Sequence, residues 1–464
     1  MLRRCYYWRV KQTRGLPPPL ERNVNKNYYR WLVADTSSQL GTSIRQFALP
    51  VLVVLAGGSN TQAGTLFAVS SLMVGILALV GGVIIDRYDR RKLFLIFCAL
   101  GVIIFGSASL WLLLNPVTWA LLLLIAILTG TRSGLLANTS NVMLRHIVPS
   151  QELPRAMAVN QGRDASIELG GPLLGGLLAG FGALATFLTE AVLGLIALVN
   201  VYFLPRCAPG EEAPGEGGAE PAKAAGTSSQ IAQAGATEAP NVWRRAATKV
   251  WDLLVEAAGG VLVIKRNSIL LITVLTSALF FPLLNGVIFA LVLSAVNSGR
   301  APVSAAFLNG AVAVGVLLGS ILAGYLTQKL RTGHIIMMAF ILPVIFATLA
   351  LLAQDFWLRL LALAPMLVLL PSGNAAFGGF MMKLIPKDML GRVFAFLQVL
   401  GIAVGPLVGL FVGVGLDRYS LNLTAGILIA IMALVSLGSL VPALRNIPTP
   451  DKWDEYLAGL SIRR

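Results

Sequence analysis

Long apolar runs alternate with short polar segments along almost the whole chain. Twelve such runs lie near residues 30–56, 61–85, 93–114, 117–142, 156–180, 183–204, 268–296, 303–328, 334–353, 357–381, 390–416 and 421–443. Crossing a bilayer takes roughly 20 apolar residues. Within lipid, a helix pairs all its peptide groups inside one segment, whereas an open strand cannot. The pattern therefore predicts twelve transmembrane helices, and the short connections make neighbours antiparallel. One connection is different. Residues 205–240 are rich in Gly, Ala, Pro, Glu and Ser and nearly devoid of large apolar side chains, so they cannot bury enough surface to order themselves. They read as a flexible linker between a half at 28–204 and a half at 268–444. Val242-Trp243 and Trp251-Asp252-Leu253-Leu254-Val255 then suggest an amphipathic helix on the membrane face within 205–267, or a continuation of the linker. Residues 1–27 and 445–464 read as polar tails. The first lacks the apolar core of a cleavable signal. Tyr28, Tyr29 and Trp31 behind it read as an interfacial aromatic anchor.

The two halves repeat each other. Val148-Pro149-x5-Arg155-x2-Ala158-x2-Gln161 matches Ile385-Pro386-x5-Arg392-x2-Ala395-x2-Gln398 at a constant offset. Gly171-Pro172 and Gly405-Pro406 follow in each copy, and Gly82 corresponds to Gly324 near the end of each second run. Halves of the same orientation related this way define a parallel repeat.

Charge adds orientation. Only 12% of residues are charged and 56% are hydrophobic, against about 25% charged in soluble domains. The net charge of +15 is spread over alternate connections rather than in a nucleic-acid-binding patch. Of 36 basic residues, only Arg300, Arg359 and Arg418 fall on one set of loops, and Arg45, Arg132 and Arg163 fall inside runs. The rest lie in the tails, loop 86–92, loop 145–155, the region 206–266, loop 329–331 and loop 383–392. By the positive-inside rule these are cytoplasmic, which puts both termini inside a cell (inner or plasma) membrane. Cys5, Cys98 and Cys207 are too scattered for a disulfide framework, and His146 and His334 alone make no zinc cluster. No Gly-x4-Gly-Lys phosphate loop is present, so neither ATP use, an enzyme nor a cofactor is expected.

The segment Gly82-Val-Ile-Ile-Asp86-Arg87-Tyr88-Asp89-Arg90-Arg91-Lys92 between the second and third runs, with the parallel repeat and the central linker, resembles the signature of the major facilitator superfamily. Asp89 stands where that signature has Gly. Within the superfamily the chain is similar to the macrolide-efflux and enterobactin-exporter group of drug:proton antiporters, through Ser38-Gln39-Leu40-Gly41, Ala48-Leu49-Pro50, Val148-Pro149 with Glu152-Leu153, Gly171-Pro172-x2-Gly175-Gly176 and Gly391-Arg392-Val393. The glycine spacing in the fifth run does not complete the exporter motif. The resemblance implies an all-α membrane protein with twelve transmembrane helices in two pseudo-symmetric six-helix halves, working as a monomer. It also implies a gating loop formed by Gly82, Asp86, Arg87, Arg90 and Arg91. In it Asp86 would lock against Gly391-Arg392 at the start of the eleventh helix in an outward-facing state, where a helix dipole and a cation meet the carboxylate. Gln328 in the repeat position has lost that charge.

Ionisable residues inside runs cost roughly 2.5–3.5 kcal/mol each at mid-helix on insertion scales, so they need partners, water or a role. Asp35, Ser38, Gln39, Thr42, Arg45 and Gln46 share one helical face of the first run and read as the wall of a wet cavity or as a polar helix-helix seam. In the fifth run Asp164 and Glu168 are i,i+4 neighbours beside Arg163. Two carboxylates this close in low dielectric do not both ionise readily, which suits proton coupling; an ion pair with Arg45, Arg132 or Arg163 is the other reading. The proton-coupling candidates are Asp35, Asp164 and Glu168. Glu190 reads as a lone snorkelling carboxylate. Arg132, in the fourth run, loosely matches the superfamily's buried arginine. Asn285, Asn309, Asn374 and Gln398 supply the polar groups of the second half. Phe280, Phe281, Phe289, Phe377 and Phe380 offer flat surfaces to a drug-like molecule, or pack between helices. Gly82 and the fifth-run glycines 170, 171, 175, 176 and 180 suit close, sliding helix contacts.

Together these features point to a secondary active exporter of amphiphilic, drug- or macrolide-like molecules by proton antiport and alternating access. Dedicated export of one metabolite, siderophore or lysolipid is the alternative. A non-transporting receptor or scaffold is the alternative of another class, disfavoured because idle buried charges are costly.

Overall fold

The computed structural model describes residues 18–149, 152–206, 268–385 and 390–456. Regular structure among them is helical throughout. The linker and amphipathic segment expected within 205–267 lie outside the described residues from 207 onward. Spans are numbered below by the twelve runs.

The first span belongs to a helix, Pro18–Leu55, that begins about a dozen residues before its apolar run. Pro18 and Pro19 occupy its first turn, where a missing N–H leaves no hydrogen bond unmade. Asn60–Arg87 forms the second span and opens on a reciprocal cap: Gln62 N donates to Ser59 Oγ at 3.2 Å and Ser59 N to Gln62 Oε1 at 3.0 Å. Arg90–Leu114 forms the third. Its N-cap is Asp89, whose carboxylate accepts from Arg91 N at 2.9 Å. The residue that departs from the superfamily signature thus starts a helix here.

The fourth span is two helices, Trp119–Leu136 and Thr139–Ile147. Leu153–Gly180, Ala183–Tyr202, Ser268–Asn297, Pro302–Lys329 and Thr332–Leu352 are the fifth to ninth. The tenth is also broken, into Phe356–Leu363 and Leu370–Leu384, with Pro365 in the break and Pro371 opening the second piece. The turn fits because Gly315 and Gly319 of the eighth span leave room for the Ala364 and Val368 carbonyls. Leu390–Arg418 is the eleventh span. The twelfth, Leu421–Ser436, tightens into a 3₁₀ turn at Leu437–Leu440. Among the described residues nine helices are long and apolar enough to cross a membrane. The first and fifth spans, which carry polar and charged residues, and the broken tenth are not among them.

One end of the bundle carries loop 86–92 and the described chain ends (the tail end). There, three hydrogen bonds tie elements within each half. Arg30 Nη1 donates to the Phe203 carbonyl at 3.2 Å, Arg91 to that of Tyr202, and Trp453 Nε1 to Thr332 Oγ1 at 3.0 Å. At the far end the halves meet. A Cβ on Gly64 of the second span would lie 2.5 Å from the Gly409 carbonyl and 3.0 Å from Gly413 Cα of the eleventh. One on Gly176 of the fifth span would lie 2.8 Å from the Pro302 carbonyl of the eighth.

Two expectations are corrected. Gly82 faces open space. The close approach is made by Gly81, where a Cβ would lie 2.5 Å from the Leu135 carbonyl and 2.7 Å from that of Gly134. Of the fifth-span glycines, 171, 175 and 176 meet neighbours, whereas 170 and 180 do not. Trp31 is not an interfacial anchor. It is fully buried with Phe94 and Met143, and its Nε1 donates to the Ser140 carbonyl at 3.1 Å, so the protein rather than the lipid interface satisfies its indole.

Candidate functional site

Between the halves lies a cavity of about 1230 Å³, somewhat above the usual 300–1,000 Å³ range of small-molecule sites. The first span contributes the face anticipated from its spacing: Asp35, Ser38, Gln39, Thr42, Arg45 and Gln46 all line the cavity. Helical periodicity turns these positions one way, and Thr42 Oγ1 donates back to the Ser38 carbonyl at 3.0 Å. From the other half come Asn285, Asn309, Asn374 and Gln398, with Phe281, Phe289 and Phe377.

The remaining candidates lie elsewhere. Arg132 is buried beside the cavity rather than in its lining. Its Nη1 donates to the Phe97 carbonyl at 3.1 Å, its guanidinium sits 4.2 Å from the Phe97 ring centroid, and Gly101 leaves space for it. Arg163 and Asp164 are absent from the lining, which takes Glu168 from that helix. Phe280 packs edge-on against Phe340 at 4.8 Å between ring centroids, and Phe380 against Trp453 at 5.8 Å. Both are core aromatics. Asp86 is exposed and Arg90 meets His146. The side chain of Arg392, the expected partner of Asp86, lies outside the described residues.

Two ion pairs organise the charged wall. Arg45 Nη1 lies 3.0 Å from Glu190 Oε1, with both side chains nearly inaccessible, and the guanidinium also lies 5.6 Å from the Phe105 centroid. Glu190 is therefore a buried partner and not a snorkelling carboxylate. Gly41 permits the approach, since a Cβ there would fall 2.6 Å from Glu190 Oε2. In the second pair, Arg163 Nη2 lies 2.6 Å from Asp35 Oδ2 and 2.7 Å from Asp164 Oδ1. One guanidinium bridges two carboxylates, so Asp164 turns to Arg163 and not into the cavity with Glu168. Buried polar atoms without hydrogen-bond partners gather nearby in sequence and space: Ser140 Oγ, Thr139 Oγ1, Asn160 Oδ1 and Arg163 Nη1.

Sequence reasoning missed Phe67, Ser70, Ser71 and Val74 of the second span and Phe340 of the ninth, all in the lining. Their signal was present: 67, 70/71 and 74 form a helical stripe like that of the first span, but of weaker polarity. Phe67 stacks on Phe289 across the halves, with centroids 5.1 Å apart.

Twelve spans in two halves around a central cavity are the architecture of a membrane transporter. Residues 33–410 match the profile of the Major Facilitator Superfamily, and the chain belongs to that family. It is a multi-pass membrane protein and not an enzyme. A hexuronate transporter of Bacillus subtilis (strain 168) is 30% identical over 165 residues, covering 35% of this chain and only 38% of that protein. Solved structures share the fold at low identity. A nucleoside transporter matches with TM-score 0.65 and 11% identity, over 89% of this chain and 99% of that one. A bacterial homologue of the iron transporter ferroportin, in an inward-facing state, gives 0.63 and 15%, over 89% and 98%. A D-xylose-proton symporter gives 0.60 and 16%, over 89% and 96%.

Proposed function

We propose that this chain exports amphiphilic small molecules in exchange for protons by alternating access. The observation that carries the reading is the cavity wall. Phe67, Phe281, Phe289, Phe340 and Phe377 face a sparse set of amides, a surface suited to a greasy molecule with a few polar groups. A sugar acid, the cargo in the name of the Bacillus relative, would need denser hydrogen bonding and a free cation. The lining cation Arg45 is already held by Glu190.

The far end, where Gly64 meets Gly409 and Gly413, is the one that the charge pattern assigns to the outside, so opening there would release cargo outward. Asp35 is the favoured proton carrier among Asp35, Asp164 and Glu168. It lines the cavity and shares Arg163 with Asp164. Protonation of Asp35 would release Arg163 to Asp164 alone, which changes how the first and fifth spans are tied. In the outward-facing state Asp86 would engage the start of the eleventh span. Deleting the gene tests export: sensitivity to many unrelated amphiphiles supports this reading, whereas build-up of one internal metabolite supports dedicated export instead.

A further inference from the structure

Resting on the export reading of this cavity, we infer that its substrates are organic cations and that Glu168 is their counter-ion. The charged residues of the lining are Asp35, Arg45 and Glu168. Arg45 is neutralised by Glu190 at 3.0 Å, so it offers no free positive charge. Asp35 is held by Arg163 at 2.6 Å, yet that guanidinium is shared with Asp164, which leaves the trio with an excess negative charge. Glu168 is exposed and makes no ion pair with a described residue. Charge therefore sums to negative on both counts, and the lining has no unmatched cation to receive an anion.

The opposite wall complements this. Phe281 and Phe340 lie with ring centroids 6.5 Å apart and tilted by 51°, and Phe377 joins them in the lining. Ring faces attract a desolvated cation, and a weakly hydrated one with bulky apolar groups loses least on leaving water. Such an ion meets a carboxylate on the fifth span and aromatic faces on the other half. A carboxylate facing an apolar-rimmed cavity also repels anions of the same shape, which gives selection by sign.

Probes of equal shape and opposite charge test this. Tetraphenylphosphonium, tetraphenylborate and neutral triphenylphosphine oxide are measured for saturable binding to the full-length protein in lipid nanodiscs. The phosphonium should bind and the borate should fail to displace it. Glu168→Gln should weaken phosphonium binding at least tenfold and leave the phosphine oxide within twofold, while Glu168→Asp should keep most of the phosphonium affinity. Borate binding as tight as phosphonium binding, an unchanged phosphonium affinity in Glu168→Gln, or saturable binding of none of the three would overturn the inference. The outcomes separate from those of the export reading. Proton-coupled flux of neutral amphiphiles without cation preference defeats this inference alone. Glu168-dependent phosphonium binding without coupled flux defeats the export reading alone.

Discussion

Asp417 at the end of the eleventh span caps the second span of the opposite half through Thr61: its Oδ2 accepts from Thr61 N at 2.7 Å. Its Oδ1 takes Asn60 N and Asn60 Nδ2, each at 2.9 Å, and Asn60 Oδ1 accepts from Asn297 Nδ2 at 2.7 Å. A carboxylate on a helix N-terminus satisfies donors that the helix itself cannot and meets the positive end of its dipole. This latch is the far-end counterpart of the one expected of Asp86 at the tail end, and again joins the second and eleventh spans. Asp417→Ala should therefore favour opening at the far end. Charge-assisted hydrogen bonds contribute about 1.5–3 kcal/mol, so the equilibrium should move roughly tenfold or more. Maleimide labelling of Phe67→Cys, in a background lacking Cys5 and Cys207, should accelerate accordingly; an unchanged rate would show that the latch does not hold the gate.

The glycines at the interfaces give a steric contrast. Gly64→Val would drive side-chain atoms into the Gly409 carbonyl and Gly413, and should prevent far-end closure, detectable as persistent labelling at position 67. Gly81→Ala should destabilise the first half by about 1–3 kcal/mol, the usual cost of overpacking. Gly82→Ala should be neutral, since nothing lies within 4 Å of its added Cβ. Thermal stability of the purified Gly81→Ala and Gly82→Ala variants checks the last two.

The Arg45–Glu190 pair is buried on both sides, so removing one member strands a charge. Glu190→Ala should cost about 3–5 kcal/mol, seen as lower folded yield and melting temperature. Replacing both members with apolar residues should recover a large part of that loss. Equal loss in the single and double variants would mean that the pair contributes through packing alone.

Much of this arrangement was legible from spacing. The polar stripe from Asp35 to Gln46 lines the cavity because helical periodicity alone decides which way it faces. The twelve spans were legible for the same reason that lipid permits few alternatives. Contacts between distant residues were not. Nothing in the sequence couples Glu190 to Arg45, and the difference between Gly81 and Gly82 is a rotation of 100° that depends on where the fourth span sits. Asp417 reads as an ordinary charged residue at a helix end until the second span is placed beside it. The break in the tenth span is signalled by Pro365 and Pro371, but its tolerance depends on Gly315 and Gly319 more than forty residues away.

Loop 86–92 carries a separate expectation. Asp86→Asn should impair transport while leaving insertion and folded yield intact, because the carboxylate would act in closing the tail end. Full transport by this variant would remove Asp86 from the gating cycle.

The central claim is coupling of proton entry to export, and proteoliposomes test it most directly. With an imposed pH gradient, adding an amphiphilic cation such as tetraphenylphosphonium should collapse the gradient. Asp35→Asn should abolish that collapse while retaining binding. A gradient indifferent to a broad panel of amphiphiles, or one dissipated by a hexuronate instead, would contradict the account.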